Sequence, residues 1–128
     1  MEVEFMLIAD AVEAVNGKLY IMGGCWDRHT ANAYPATVKL GQAVALKVTL
    51  ADTGHRKVGF KIVDDSGTLV VPEVFADLSL GTGRTGRVIL CVNWVVQLVH
   101  SGRYEVEVRV GDEVSDSVSF ESNIALSN

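Results

Sequence analysis

The chain has 128 residues, of which 48% are apolar and 21% charged, and its net charge is −5. That balance excludes a disordered or fibrous chain and suits one globular domain over residues 1–128, long enough to bury roughly two-thirds of the surface its unfolded form exposes. The 11 Lys and Arg are scattered and outnumbered by 16 Asp and Glu, which argues against nucleic acid as a partner, because phosphate contacts call for a basic face.

Strand patterns begin at once. Met1–Ile8 places Val3, Phe5 and Leu7 on one parity and Met6 and Ile8 on the other. Its second half is therefore apolar on both faces, as in a central strand or an edge that a partner covers. Asn16-Gly17 separates Ala11–Val15 from Lys18–Met22 and predicts a type I′ hairpin, whose two central residues need positive φ. Val44, Leu46, Val48 and Leu50 alternate with Ala45, Lys47 and Thr49, and Val58, Phe60 and Ile62 alternate with Lys57 and Lys61. A period of two turns one face inward and the other toward water. Asp65-Ser66-Gly67 predicts a turn into a strand at Thr68–Val71.

Arg87–Val99 is ambiguous. Val92, Val95, Val96 and Val99 fit helical spacing, yet valine favours strands. A strand over Arg87–Asn93 with an irregular remainder is expected, and a short helix is the rival. Tyr104, Val106, Val108 and Val110 mark a clean strand, and Gly111-Asp112 closes a hairpin onto Glu113–Phe120. Gly102-Arg103-Tyr104 has the form of a corner tyrosine, whose hydroxyl bonds a backbone group upstream in immunoglobulin-like sandwiches. Turn signals recur roughly every ten residues. The expectation is an all-β, immunoglobulin-like Greek-key sandwich of about seven or eight strands.

Several residues resemble those of a bacterial family of small all-β proteins known only as a domain of unknown function. They are Ala9-Asp10, Gly17-Lys18-Leu19 and Gly23-Gly24-Cys25-Trp26-Asp27, followed by Pro35, Asp65-Ser66-Gly67 and Gly102-Arg103-Tyr104. The resemblance implies a β-sandwich and no assigned activity, and it carries no catalytic residues over.

Cys25, Asp27 and His29 alternate and would share a face on an extended strand. A zinc site needs four ligands, usually in paired spacings, and a nucleophilic thiol needs a lowered pKa and an oriented base. Neither pattern is present. The plainer reading has Cys25 ending a buried strand, Trp26 plugging the rim of the core, and Asp27-Arg28-His29 in a solvated loop. Asp10 is expected to cap a turn, with holding Arg28 or lining a pocket as alternatives.

Gly81-Thr-Gly-Arg-Thr-Gly86 matches a dinucleotide fingerprint in letters only, since no strand–helix context surrounds it, and reads as a hairpin loop. Asp116 falls on the inward parity of the last strand, which a bulge or an edge position explains. Trp26, Trp94, Tyr20 and Tyr34 raise a carbohydrate or peptide groove, although core use accounts for most aromatics at 7% of the chain.

No cofactor and no metal is expected. Two cysteines and the start Met-Glu-Val-Glu point to a cytoplasmic protein with reduced thiols and no membrane segment. The functional expectation is a non-enzymatic binding or assembly module. Its partner is another protein or a second copy, met through an edge strand or the N-terminal strand. The surface to examine first is Asp10, Trp26, Asp27, Arg28 and His29. The alternatives are a small enzyme or metal site around 25–29, and a part of a larger phage-like or secretion-type assembly.

Overall fold

Period-two apolar runs and glycine turns give nine strands and no helix in a computed structural model that describes residues 1–83 and 85–126. They are β1 (Glu2–Val15), β2 (Lys18–Gly24), β3 (Arg28–Ala31), β4 (Ala36–Val48), β5 (Gly54–Val63), β6 (Val74–Leu80), β7 (Gly86–Leu98), β8 (Gly102–Val110) and β9 (Glu113–Ile124). A four-stranded sheet runs β2-β1-β4-β7 and a five-stranded sheet runs β3-β9-β8-β5-β6. All pairings are antiparallel except β3 with β9. Among the described residues no helix is long and apolar enough to cross a membrane.

The inward parities meet between the sheets. Ile8, Leu40, Val44 and Leu46 of one sheet pack with Val58, Phe60, Ile62, Val106 and Phe120 of the other. One polar residue sits in this layer. Gln42 is fully buried; its amide nitrogen donates to Glu107 O at 3.1 Å, and its oxygen accepts from Trp94 Nε1 at 3.0 Å. A buried amide without such partners costs a few kcal/mol, so the network fixes both sheets in register at that point.

The expected hairpin is present. β1 ends at Val15, β2 begins at Lys18, and Asn16 and Gly17 take φ values of 52° and 74°. The four-stranded sheet then acquires a second layer. Val12 crosses over Gly41, where a Cβ would lie 2.8 Å from Val12 N. Asn93 of β7 clamps the crossing: its Oδ1 accepts from Val12 N at 3.1 Å and its Nδ2 donates to Val12 O at 2.9 Å. Val12 is buried with Ala9 and Ala43, and Leu7, Leu19 and Cys91 pack around them. Small residues on the outer parity of β4 leave room for this strap.

Several expectations change. β4 was expected to be half-buried, but Ala43 and Ala45 are as buried as Val44 and Leu46, because β1 and its hairpin cover the outer face. Leu50 lies beyond the strand and is exposed. Met6 and Ile8 face the main core and offer no outer apolar surface; Leu7 and Ala9 occupy the other parity and are covered by the chain itself. Thr68–Val71 forms only the isolated bridge Val63↔Leu69, and the strand is Val74–Leu80, beyond Pro72. β7 is continuous to Leu98, because Trp94, Val96 and Leu98 alternate inward and every residue from Gly86 to Leu98 has a partner on β4. Gly81–Gly86 is no hairpin loop: it joins β6 of one sheet to β7 of the other, and its Arg84 lies outside the described residues. Asp116 sits opposite Val108, beside the bulge at Val108/Arg109, which accounts for its inward parity.

Candidate functional site

The corner tyrosine positions one end of the sandwich. Tyr104 is 1% exposed and its hydroxyl donates to His100 O at 2.6 Å. Its ring stacks on Phe120 at 5.4 Å, and Phe120 meets the edge of Trp26 at 5.3 Å. This row of rings fixes Trp26 at the rim where β2, β3 and β4 converge. Trp26 Nε1 is buried and, among the described residues, has no acceptor.

Around Trp26 the backbone is unusual. Gly23 has φ 62°, and a Cβ there would fall 2.2 Å from an Asp10 carboxylate oxygen. Cys25 has φ 65°, a conformation that non-glycine residues seldom adopt, and its N–H donates to Ile8 O at 2.7 Å. Gly23 is thus required by its close approach to Asp10, and Gly24 by Ile21, whose Cγ2 would lie 2.9 Å from an added Cβ. Cys25 does not end a buried strand; it is exposed on the rim. Residues 25–27 lie outside any strand, and Cys25, Asp27 and His29 do not come together: His29 lines one hollow, Asp27 another, and Cys25 neither. Arg28-His29 is not loop but β3, held parallel to β9 with Asp27 O accepting from Glu121 N at 2.9 Å.

An open groove of about 550 Å³ brings Asp10, Trp26, Arg28 and His29 together, with Lys39 and Gly23 on its walls. Asp27 lines a smaller neighbouring hollow with Arg28, Arg103 and Glu121. Asp10 caps no turn: among the described residues its carboxylate accepts no hydrogen bond, and it lines the groove instead. His29 Nδ1 and the Tyr34 hydroxyl both hydrogen-bond Ser122 Oγ, at 2.9 and 2.8 Å. Burial holds the His29 pKa below its usual value. Ser122 is fully buried, so substrate cannot reach its hydroxyl.

The other aromatics disperse. Trp94 is 4% exposed in the core, Tyr34 is tied to Ser122, and Tyr20 stands 54% exposed on the hairpin. Cys91 lies under that hairpin, where burial raises its pKa. Among the described residues the one cluster of possible metal ligands is Asp64, Asp65 and His100. Asp64 Oδ1 is already taken by Ser66 N, Ser66 Oγ and Thr68 N, the bonds of an Asp-initiated turn. A more voluminous hollow, about 770 Å³, lies elsewhere, between the Glu4–Arg87 ion pair and Leu50.

The feature that sequence reasoning missed is an edge. β7 is the terminal strand of its sheet and pairs only with β4, over 13 residues. In an antiparallel pair, alternate residues of the outer strand turn N–H and C=O away from the partner. Among the described residues no backbone bond from β7 meets them. Val88–Val99 contains no Asp, Glu, Lys, Arg or Pro. That uncharged run was the available sign.

Among curated proteins none matches the chain. Of solved structures, the Pseudomonas fluorescens alkylpurine DNA glycosylase AlkC, bound to DNA containing an abasic site analog, is similar at 14% identity with a TM-score of 0.57. The match covers 94% of this chain and 30% of that one, so the chain spans under a third of AlkC. At this identity the likeness concerns the fold alone. Family membership is clear from the sequence: over residues 4–121 the chain matches, and belongs to, the family of unknown function DUF6941.

Proposed function

We propose that the protein is a non-enzymatic binding or assembly module of immunoglobulin-like, Greek-key topology that acts through an open sheet edge. The topology is supported by the two packed sheets, antiparallel but for β3 beside β9, and by the Tyr104 hydroxyl bonded to His100 O. One observation carries the function: among the described residues β7 is a 13-residue sheet edge, uncharged beyond Arg87, with no strand on its outer side. Proteins usually blunt such an edge with charge, proline, bulges or a covering loop, since it templates pairing with another chain. Among the described residues β7 has none of these past Arg87, and its register with β4 is unbroken. Adding a strand to an edge is a common mode of protein recognition. Repeated edge pairing is also a way to build a subunit into a larger array. The acidic balance supports protein over nucleic acid as the partner, and the two free cysteines support a reducing, cytoplasmic setting.

Val95 points outward from β7 and is 64% exposed, so Val95→Lys adds charge to the edge with little effect on the fold. Affinity capture with the wild type and with this variant tests the reading. The proposal expects a partner held by the wild type and lost by Val95→Lys, with the strand signal in circular dichroism unchanged. A partner held equally by both sinks it.

A second reading is favoured by the orphaned indole N–H of Trp26 at a groove of mixed charge, with Asp10 against Arg28 and Lys39. It makes the rim a seat for a small polar ligand. Native mass spectrometry of the wild type and of Arg28→Ala checks it: a bound mass lost in the variant is expected.

A further inference from the structure

The open edge has a definite length, polarity and side-chain pattern, and these narrow its occupant. Resting on the module reading above, we propose that β7 pairs antiparallel with β7 of a second copy of this chain, about a two-fold axis near Val92. The two four-stranded sheets then fuse into one continuous sheet.

A second copy brings by construction what this edge lacks, an unpaired strand of the same length. A two-fold contact is isologous, so one pairing satisfies both edges at once and closes the assembly. Centring the axis on Val92, the middle of Gly86–Leu98, overlaps all 13 residues. Leu90 then faces Trp94, Val88 faces Val96, and Ile89 faces Val95, each across the joint. Parity is preserved, so core-facing side chains meet core-facing ones.

Charge agrees with this register. The edge carries one cation, Arg87, paired with Glu4 at the start of the strand. The two-fold sets it opposite Gln97 of the other copy and keeps the two Arg87 residues at opposite ends of the joint.

Burial agrees as well. Val88, Leu90 and Val92 lie on the inward parity and pack against the main core, yet remain only partly buried, because no strand lies beyond them. On the outer face, Val95 and Val99 are 64% and 69% exposed. A neighbouring β7 sets its own side chains beside these on both faces, with Val95 next to Ile89 of the other copy. The hairpin's exposed Ile21 and Met22 line a hollow that reaches Asn93 of β7, which continues the apolar surface toward the joint.

The test combines light scattering across a hundredfold range of concentration with amide exchange read residue by residue along β7. The expected result is twice the 13.8 kDa of one chain, with the outward amides of β7 protected as the dimer forms. Val95 enters a two-fold joint twice, so Val95→Lys is expected to weaken association about tenfold or more. Three results overturn the homotypic pairing. A monomer throughout, with fast outward amides on β7, removes the second copy but leaves an open edge and the module reading intact. A monomer whose β7 amides are all slow means that the edge is already filled, and the module reading falls too. A dimer protected elsewhere, such as along Tyr20–Met22, moves the interface off β7.

Discussion

The two sheets end differently on β6 and on β7. β6 is seven residues long, follows Pro72 and carries Asp77. Lys57 Nζ hangs 4.3 Å over the Phe75 ring, and Glu73 pairs with Arg109 at 3.1 Å beside it. Charge and brevity close that edge to other chains. β7 is 13 residues long and uncharged beyond Arg87. It is anchored on both faces, by Trp94 to Gln42 within the core and by Asn93 to Val12 outside it, and among the described residues by no strand along its free side. The same fold thus guards one edge and leaves the other available, and the availability is built on a strand that the rest of the protein holds rigid.

Breaking the anchors should separate these roles. The largest effect is expected from Gly41→Ala. Its methyl would sit 2.8 Å from Val12 N and 2.9 Å from Val12 Cγ2, so the hairpin must lift. Overpacking against backbone, with loss of the Asn93 clamp, should cost about 3 kcal/mol in urea unfolding. Amides of Ala11–Met22 should exchange faster. Gln42→Leu comes next. It strands the Trp94 indole N–H and removes the bond to Glu107 O, for about 2 kcal/mol by the same measurement. Asn93→Ala frees Val12 N and O near solvent and should cost about 1 kcal/mol, loosening the strap while leaving the β7 edge in place.

The smallest expected effect concerns pH, and it probes the four-residue β3 edge that His29 pins to Ser122. Burial lowers the His29 pKa from 6.5. Its contribution to stability is therefore present above about pH 6.5 and lost as pH falls through the lowered folded value. His100 has the opposite sign. The hydrogen bond to Ser101 O, and then Asp64, raise its pKa from 6.5. Its contribution is present below that value and lost as pH rises through the raised one. Urea midpoints from pH 5 to 8 (roughly the range over which histidines titrate) should fall toward acid in His100→Asn and toward base in His29→Asn. The reverse ordering would mean that the two sites are misassigned.

What the sequence made legible was local. Asn16-Gly17 dictates its hairpin by φ alone, Val58, Phe60 and Ile62 reveal a half-buried strand, and Gly102-Arg103-Tyr104 encodes its own corner. What it hid was tertiary. The strap across the sheet appears in sequence only as Gly41, Ala43 and Ala45 on an outer parity, which read as solvent-facing until Val12 is known to cross there. β3 is too short to show a period, and it owes its existence to β9. At the rim, Asp10 and Trp26 belong to one motif and Arg28 and His29 follow it directly, so their proximity could be expected; Asp27, expected with them, lines the neighbouring hollow instead. The left-handed turn at Cys25 was not foreseeable, because cysteine is an unusual residue for that conformation. The β7 edge was concealed because valines at 92, 95, 96 and 99 fit a helix as well as a strand.

The most direct test of the edge pairing is cysteine cross-linking in a Cys25→Ser, Cys91→Ala background. A two-fold near Val92 sets residue 89 of one copy opposite residue 95 of the other, within the reach of a disulfide. Mixing Ile89→Cys with Val95→Cys protein under mild oxidation should give a cross-linked dimer, while either variant alone should give none. A cross-link in either variant alone, or none in the mixture, would contradict the pairing.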